Sequence, residues 1–85
     1  MVTREVTVCR EDGLEARPIA MLVQKASQFS STIHIEVGNK KVNAKSIMGL
    51  MSLGIARGEE VTVTADGRDE EVAVENIEKY LSDKK

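Results

Sequence analysis

Seven short segments with regular apolar periodicity constrain the fold of this sequence more than any other feature. Four of them alternate apolar and polar residues, which is typical of strands with one covered and one exposed face. The other three carry apolar residues at helical spacing. Their order predicts an α+β fold of the type β-α-β-β-α-β-α. We expect an open-faced sandwich whose four-stranded, mainly antiparallel sheet is covered by three helices on one face.

Turn residues separate the predicted strands. The strands are predicted at 2–9, at 32–37, from 40 onward and at 61–65. Gly38-Asn39 is a hairpin signal between the second and third strands. Glu11-Asp12-Gly13 predicts a turn after the first strand. These signals divide the chain into elements without leaving a linker between domains.

Each predicted helix has a recognisable end. Pro18 fits the first turn of the first helix, where its missing N–H costs nothing. The second helix is predicted over 46–53, with Gly54 as its stop. Acidic Asp69-Glu70-Glu71 and basic Lys84-Lys85 suit the two ends of the third helix dipole. The apolar stripes of the first and third helices are Ile19, Leu22, Val23, Ala26, Ala73, Val74, Ile77, Tyr80 and Leu81.

Length and charge exclude several classes of protein. A chain of 85 residues predicts one domain, residues 1–85, with one core. The net charge of −2 argues against direct binding of nucleic acid, which needs a basic field. No apolar run approaches the roughly 20 residues that span a bilayer, and the N-terminus has no hydrophobic signal core. We therefore expect a cytoplasmic protein that does not enter a membrane.

The single cysteine and single histidine limit the chemistry of the chain. Cys9 cannot form an internal disulfide, and one cysteine with one histidine makes no metal-ligand cluster. His34 alternates with Ile33 and Ile35, so we expect it on the exposed face of the sheet, without a catalytic role. Cys9 and Tyr80 are interpreted as structural. We predict no metal, no cofactor and no enzymatic activity.

Two segments carry a specific resemblance to a known family. They are Gly13-Leu14-Glu15-Ala16-Arg17-Pro18 and Lys45-Ser46-Ile47-Met48-Gly49-Leu50-Met51. Together with the element order, they resemble the HPr family of the bacterial sugar phosphotransferase system along the whole chain. The second segment is similar to the regulatory serine region of Gram-positive members. The resemblance implies an HPr-like open-faced β-sandwich.

Glu15 is the main departure from the family pattern. HPr carries its phosphocarrier histidine there, so the sequence resembles the Crh-type branch, which keeps the serine and lacks the histidine. That branch has glutamine at this position, so glutamate is a further departure. Three interpretations stay open. The carboxylate could form an acyl phosphate, could act as an anion near a helix N-terminus, or could tune partner choice by its charge.

Arg17 lies two residues beyond Glu15, in the first turn of the predicted helix. In the HPr family this arginine assists phosphate handling. The resemblance implies that here it pairs with Glu15 or with an acidic or phosphorylated partner surface. A solvated arginine without a partner is the alternative.

Ser46 is the predicted modification site. From its position alone it is an N-cap, because a serine oxygen accepts hydrogen bonds from first-turn N–H groups. The resemblance implies regulatory phosphorylation at the same hydroxyl, and the two roles are compatible. A phosphate there adds about −1.5 to −2 charges near pH 7 at the positive end of a helix. Lys45 is adjacent and is predicted to belong to the same partner-binding surface.

Apolar side chains beside Ser46 are predicted to form the rest of that surface. Ile47 and Met51 are four residues apart and share a helix face. Met48 joins them, since methionine suits adaptable binding surfaces. Leu50 and Leu53 occupy another face and are better core candidates. The alternative is that all five side chains are buried.

The resemblance implies a regulatory binding module. HPr kinase/phosphorylase would phosphorylate Ser46, using ATP and Mg²⁺ that the kinase itself holds. The product would act as corepressor of the catabolite control transcription factor, a LacI-type repressor. Glu15, Arg17, Lys45, Ile47, Met48 and Met51 would contact that partner. DNA contact would belong to the repressor.

Two other functions and a self-association are also considered. The first alternative is a phosphocarrier in sugar uptake with an altered acceptor, and the second is a phosphorylation-independent binder of a metabolic enzyme. The Crh resemblance also implies a homodimer formed by exchange of the first strand. Its hinge is predicted at Asp12-Gly13, directly after the strand at 2–9.

Overall fold

A computed structural model describes residues 1–9 and 16–83, with the backbone alone at Ala16 and Arg17. The elements are β1 (Val2–Thr7), α1 (Ala16–Ser27), β2 (Thr32–Val37), β3 (Lys40–Asn43), α2 (Ile47–Leu53), β4 (Glu60–Asp66) and α3 (Glu70–Ser82). This order confirms the predicted sequence of strands and helices. The predicted turn at 11–13, the hinge at 12–13 and the basic residues 84–85 lie outside the described residues.

The four strands form one sheet in the order β1-β4-β2-β3. Every pairing between them is antiparallel. Val6 of β1 and Ile35 of β2 lie opposite Val61 and Val63 of β4, respectively. This register places the apolar residues of neighbouring strands on the same face, which is what fixes the pairing when one face is covered.

The three helices cover that apolar face and enclose the core. α3 packs on β1 and β4, α2 packs on β3, and α1 packs on α2 and α3. Leu22 of α1, Leu50 of α2 and Ile77 of α3 are fully buried against Ile33 and Val63 of the sheet. The predicted apolar stripes of α1 and α3 therefore face the core, with Val23 only partly buried.

The opposite face of the sheet is polar and is not covered by a helix. His34 lies across from Thr64 and Asn43, and Glu36 lies across from Thr62. His34 lies on this face as predicted, but its side chain, like that of Glu36, is half-buried. The reason is that β2 is an inner strand, so side chains of two neighbouring strands shield each of them.

The bounds of β1, α2 and β4 differ from the sequence prediction, those of β4 by one residue at each end (Glu60–Asp66). The first strand ends at Thr7 and not at Cys9, because the Cys9 amide donates a hydrogen bond of 3.0 Å to the carbonyl of Leu81 in α3. The chain has left the sheet at that point. The second helix begins at Ile47, with Ser46 as its N-cap. Gly54 ends it in the left-handed conformation, as predicted (φ 60°).

Asp69 joins the start of α3 to the segment that follows α1. Its carboxylate accepts a hydrogen bond from the Ser31 hydroxyl, and it also accepts from the amides of Ser31 (3.0 Å) and Ser30 (2.9 Å). Ser31 is fully buried, so these bonds satisfy a polar group inside the protein. The bond from the Ser31 hydroxyl, together with the two amide bonds, lowers the pKa of Asp69 to about 2.

Gly67 allows the hydrogen bonds between Asp69 and residues 30–31 to form. A β-carbon at position 67 would lie 2.7 Å from the Ser31 Cα, which is too close for any side chain. The turn between β4 and α3 therefore approaches the backbone at Ser31 directly, and it brings Asp69 within reach of the two amides.

We predict that Asp69 makes the stability of the fold pH-dependent at acidic pH. Because its folded pKa of about 2 lies below the ordinary value of 3.8, its contribution is fully present above that ordinary value. It is lost as pH falls towards the folded pKa. The unfolding free energies of wild type and Asp69→Asn should therefore converge over this window, as measured by urea denaturation at a series of pH values.

Glu75→Gln is the matched control, since Glu75 is an exposed carboxylate on the same helix. Its stability should run parallel to that of the wild type throughout. If the unfolding free energy of Asp69→Asn stays parallel to that of the wild type from neutral pH down to the folded pKa, the bonds from Ser30 and Ser31 do not stabilise the charged form of Asp69.

Candidate functional site

Ser46 is the N-cap of α2. Its backbone is extended (φ −112°, ψ 113°), and its Oγ accepts a hydrogen bond of 3.1 Å from the Gly49 amide. Its carbonyl accepts the first helical bond, 3.1 Å from the Leu50 amide. Both bonds are those expected of an N-cap serine, and they fix the hydroxyl at the start of the helix. The predicted capping role is confirmed.

The segment before Ser46 is held by backbone and side-chain bonds. The Asn43 side chain accepts from the Lys45 amide at 2.8 Å, and the Asn43 carbonyl accepts from the Ser46 amide at 3.0 Å. Asparagine favours such local turns because its side chain can bond to the backbone two residues on. The Ala44 amide donates to the Ile33 carbonyl at 2.8 Å, which ties the turn to β2.

The ammonium group of Lys45 is engaged away from the serine. Its Nζ donates a hydrogen bond of 2.8 Å to the carbonyl of Phe29, and the side chain is half-buried. Phe29 follows the last turn of α1, so Lys45 links the two segments that flank the site. In this arrangement Lys45 supports the turn that carries Ser46, and its role towards a partner stays a prediction.

Three apolar side chains of α2 are exposed beside Ser46. The exposed fractions are 45% for Ile47, 83% for Met48 and 52% for Met51, and we call these three residues the α2 surface. Leu50 is fully buried, and Leu53 is partly buried against the core. The alternative that all five side chains are buried is therefore wrong. A contiguous apolar patch on a small domain is typical of a binding site.

Met21 is an exposed apolar residue that the sequence analysis did not single out. It lies on α1, which packs against α2, and 47% of its side chain is exposed. Its position outside the stripe of Ile19, Leu22 and Ala26 was the available signal. A methionine on the polar side of an amphipathic helix is unusual enough to mark as a candidate contact.

The other predicted partner residues fall at the edge of the described chain. Glu15 lies outside the described residues. Arg17 lies in the first turn of α1, and its side chain is not among the described groups. Their pairing with each other or with a partner stays a prediction.

The remaining candidates contribute to packing. Tyr80 is buried, and its hydroxyl donates a hydrogen bond of 2.9 Å to the Pro18 carbonyl, which joins α3 to the first turn of α1. Cys9 is a half-buried free thiol.

Across residues 1–9 and 16–83, no three histidine, cysteine or acidic side chains come together as metal ligands. In the same part of the chain, no helix has the length and apolar character needed to cross a bilayer.

The chemistry open to Ser46 follows from its neighbours. Within the described residues no histidine or carboxylate hydrogen-bonds its hydroxyl, whose contact is the Gly49 amide. A serine nucleophile is normally activated by an adjacent base. Among the described residues, the Ser46 hydroxyl therefore has no such base as a hydrogen-bond partner.

The chain is similar to known proteins in sequence and in fold. The model of the PTS-HPr family, the PTS HPr component phosphorylation site, matches residues 2–83. The HPr-like protein Crh of Bacillus subtilis is 49% identical over 83 residues, which cover 98% of each chain. The family model and this relative both extend over almost the whole sequence.

Two solved structures show how closely the fold is shared. The phosphocarrier protein HPr from Bacillus anthracis superposes with a TM-score of 0.92 at 48% identity, over 94% of this chain and 95% of that one. A crystal structure of Bacillus subtilis Crh, described as a swapped dimer, has a TM-score of 0.77 at 51% identity, over 95% and 93%. In the present chain β1 pairs with β4 of the same molecule.

We predict that Ser46→Ala destabilises the protein by about 0.5–2 kcal/mol, the usual cost of losing an N-cap. The unfolding free energy from urea denaturation measures the effect. Ser52→Ala is the control, because Ser52 is an exposed serine in the same helix whose hydroxyl donates to the Gly49 carbonyl and does not cap the helix. Equal stability of the two variants would contradict a capping role for Ser46.

Proposed function

The chain belongs to the HPr family, and from that premise we propose that it is a Crh-type regulator of carbon catabolite repression. HPr kinase/phosphorylase phosphorylates Ser46, and ATP and Mg²⁺ are held by that kinase. The phosphorylated chain then serves as corepressor of the LacI-type catabolite control transcription factor. The observation that carries the proposal is the position of the Ser46 hydroxyl at the N-cap of α2, beside exposed Ile47, Met48 and Met51.

The proposed signal is a change of charge next to an apolar surface. Phosphorylation adds about −1.5 to −2 charges and three acceptor oxygens to a site that is now a neutral hydroxyl. Because Ser46 already bonds the first turn of α2, its modification requires no rearrangement of the core around Leu50. Basic side chains of the repressor recognise the phosphate, and the α2 surface supplies the apolar part of the interface.

The residue at position 15 supports a regulatory role over a phosphocarrier role. Glu15 replaces the histidine that carries phosphate in HPr, and a carboxylate does not offer the imidazole nitrogen used for reversible transfer. Glu15 and Arg17 are proposed as repressor contacts. In this role the chain is a cytoplasmic binding protein and not an enzyme, and its net charge of −2 leaves DNA contact to the repressor.

We predict that incubation with HPr kinase/phosphorylase and MgATP places one phosphate on the chain, at Ser46. Intact mass and peptide mapping measure the stoichiometry and position. Ser46→Ala should remain unmodified, and Ser52→Ala should be phosphorylated like the wild type, because Ser52 lies in the same helix but does not cap it. Phosphate on another residue, or none, would sink the regulatory assignment.

A phosphotransferase assay separates this proposal from the phosphocarrier alternative, which the family description and the likeness to HPr favour. Phosphoenolpyruvate and the general phosphotransferase enzyme should leave no stoichiometric, acid-labile phosphate on the chain. Such a product would establish a carrier instead. Pull-downs from cells that capture the same metabolic enzymes with wild type and Ser46→Ala would favour the phosphorylation-independent binder.

We also propose a homodimer formed by exchange of β1. β1 lies at the edge of the sheet and pairs only with β4 among the described strands, so the same pairs could form between two chains. The swapped dimer of Crh supports this proposal. The predicted hinge at Asp12-Gly13 lies outside the described residues.

We predict that sedimentation velocity shows a dimer whose fraction grows slowly with concentration and incubation time. Slow growth is expected because β1 must leave β4 before it can pair in the second chain. A single monomeric species over a wide concentration range, after long incubation, would remove the exchange proposal and leave the phosphorylation proposal intact.

A further inference from the structure

We propose that Gly49 is a positioning residue for phosphorylation of Ser46, and that it acts through the absence of a side chain. The inference deepens the proposed function and rests on it. Gly49 sets where the Ser46 hydroxyl stands relative to the α2 surface that the kinase contacts.

Gly49 is in contact with both sides of the modification site. Its amide donates to the Ser46 Oγ at 3.1 Å. A β-carbon built at position 49 would lie 3.3 Å from that same Oγ and 3.2 Å from the Cβ of Val42 in β3. Both distances are tighter than ordinary van der Waals contact. The missing side chain therefore lets α2 sit close to β3 and leaves room at the hydroxyl.

Space, and not backbone conformation, is the reason for glycine at this position. Gly38, Gly54 and Gly58 have positive φ values, and a β-carbon there would meet nothing within 4 Å. Gly49 has the opposite properties. It lies inside a helix, its φ is not positive, and a β-carbon there would be crowded by Val42 and Ser46. Glycine lowers helix stability relative to alanine, so its presence in a seven-residue helix calls for such a packing reason.

A methyl group at position 49 requires its neighbours to give by a few tenths of an ångström, and two responses bear on Ser46. Either α2 moves away from Val42, or the Ser46 side chain turns away from the Gly49 amide. Turning of the Ser46 side chain displaces its hydroxyl by a few tenths of an ångström relative to Ile47, Met48 and Met51, and a movement of α2 displaces the same hydroxyl relative to β3. A small displacement of a reacting atom can lower the rate strongly even when binding is kept.

The chemical step explains why the position of the hydroxyl matters. The Ser46 Oγ attacks the γ-phosphorus of the ATP that the kinase holds, so a new O–P bond forms. The bond between that phosphorus and the β,γ-bridging oxygen breaks, ADP leaves, and the hydroxyl proton passes to a base of the kinase. The attacking and leaving oxygens must lie roughly in line with the phosphorus.

Gly49→Ala tests the inference in steady-state assays with HPr kinase/phosphorylase and MgATP. We expect kcat for the variant substrate to fall by about three- to tenfold, less than the roughly hundredfold loss for a misplacement of about 1 Å. KM should stay near the wild-type value, because Met48 and Met51 keep their exposed positions. Assays are run below the thermal unfolding transition of each protein, as recorded by circular dichroism.

Ser52→Thr is the matched control, because it adds one methyl group to an exposed residue of the same helix. It should retain the wild-type kcat. The amide resonances of Val42 and Ser46 give a second readout, and they should move in Gly49→Ala but not in Ser52→Thr. An unchanged kcat in Gly49→Ala, an equal loss in both variants, or a rise in KM alone would overturn the inference.

Failure of the inference and failure of the proposed function are distinguishable. Wild type that accepts no phosphate at Ser46 would overturn the proposed function, and the inference with it. Wild type and Gly49→Ala that accept phosphate at the same rate would overturn the inference alone.

Discussion

Burial of one face of a small sheet is the constraint from which the rest of this structure follows. The apolar residues of β2 and β4 must be covered, and the chain has three short helices to cover them. α2 has seven residues and buries Leu50 fully, which leaves its other sides open. The exposed apolar residues Ile47, Met48 and Met51 are thus a consequence of a helix too short to be enclosed. The proposed function uses this exposed surface of α2.

The N-cap of α2 places the proposed phosphorylation site beside that surface. Ser46 is needed to satisfy first-turn amides whether or not it is modified, and the same bond holds its hydroxyl beside the α2 surface. Lys45 supports the turn through Phe29, and Gly49 keeps α2 close to Val42. In the proposed function, the capping oxygen of Ser46 is also the phosphate acceptor, so the change in charge would need no change in fold.

Periodicity was sufficient to predict the element order, the hairpin at Gly38-Asn39 and the N-cap serine, because each depends on local sequence. Contacts between distant residues were not predictable in this way. The end of β1 depends on the bond from Cys9 to Leu81, and the depressed pKa of Asp69 depends on Ser30 and Ser31. Local charge patterning had indicated only a favourable helix dipole at Asp69.

The candidate site, like the fold, was predicted only where it depends on local sequence. Exposure of Ile47 and Met51 was predicted from helical spacing and that of Met48 from its residue type, with burial of all five side chains left open. The contact of Lys45 with Phe29 and the crowding around Gly49 required the packed structure. Met21 was missed because the pattern of α1 directed attention to its buried stripe. The partner contacts proposed for Glu15 and Arg17 rest on the sequence alone.

Calorimetric titration of the purified catabolite control repressor tests the central claim most directly. The Ser46-phosphorylated chain and the unmodified chain would be titrated separately, at low and high salt. The account predicts tight binding for the phosphorylated form only, with an affinity that weakens as salt screens the phosphate. Equal affinity of the two forms, with the same dependence on salt, would contradict it.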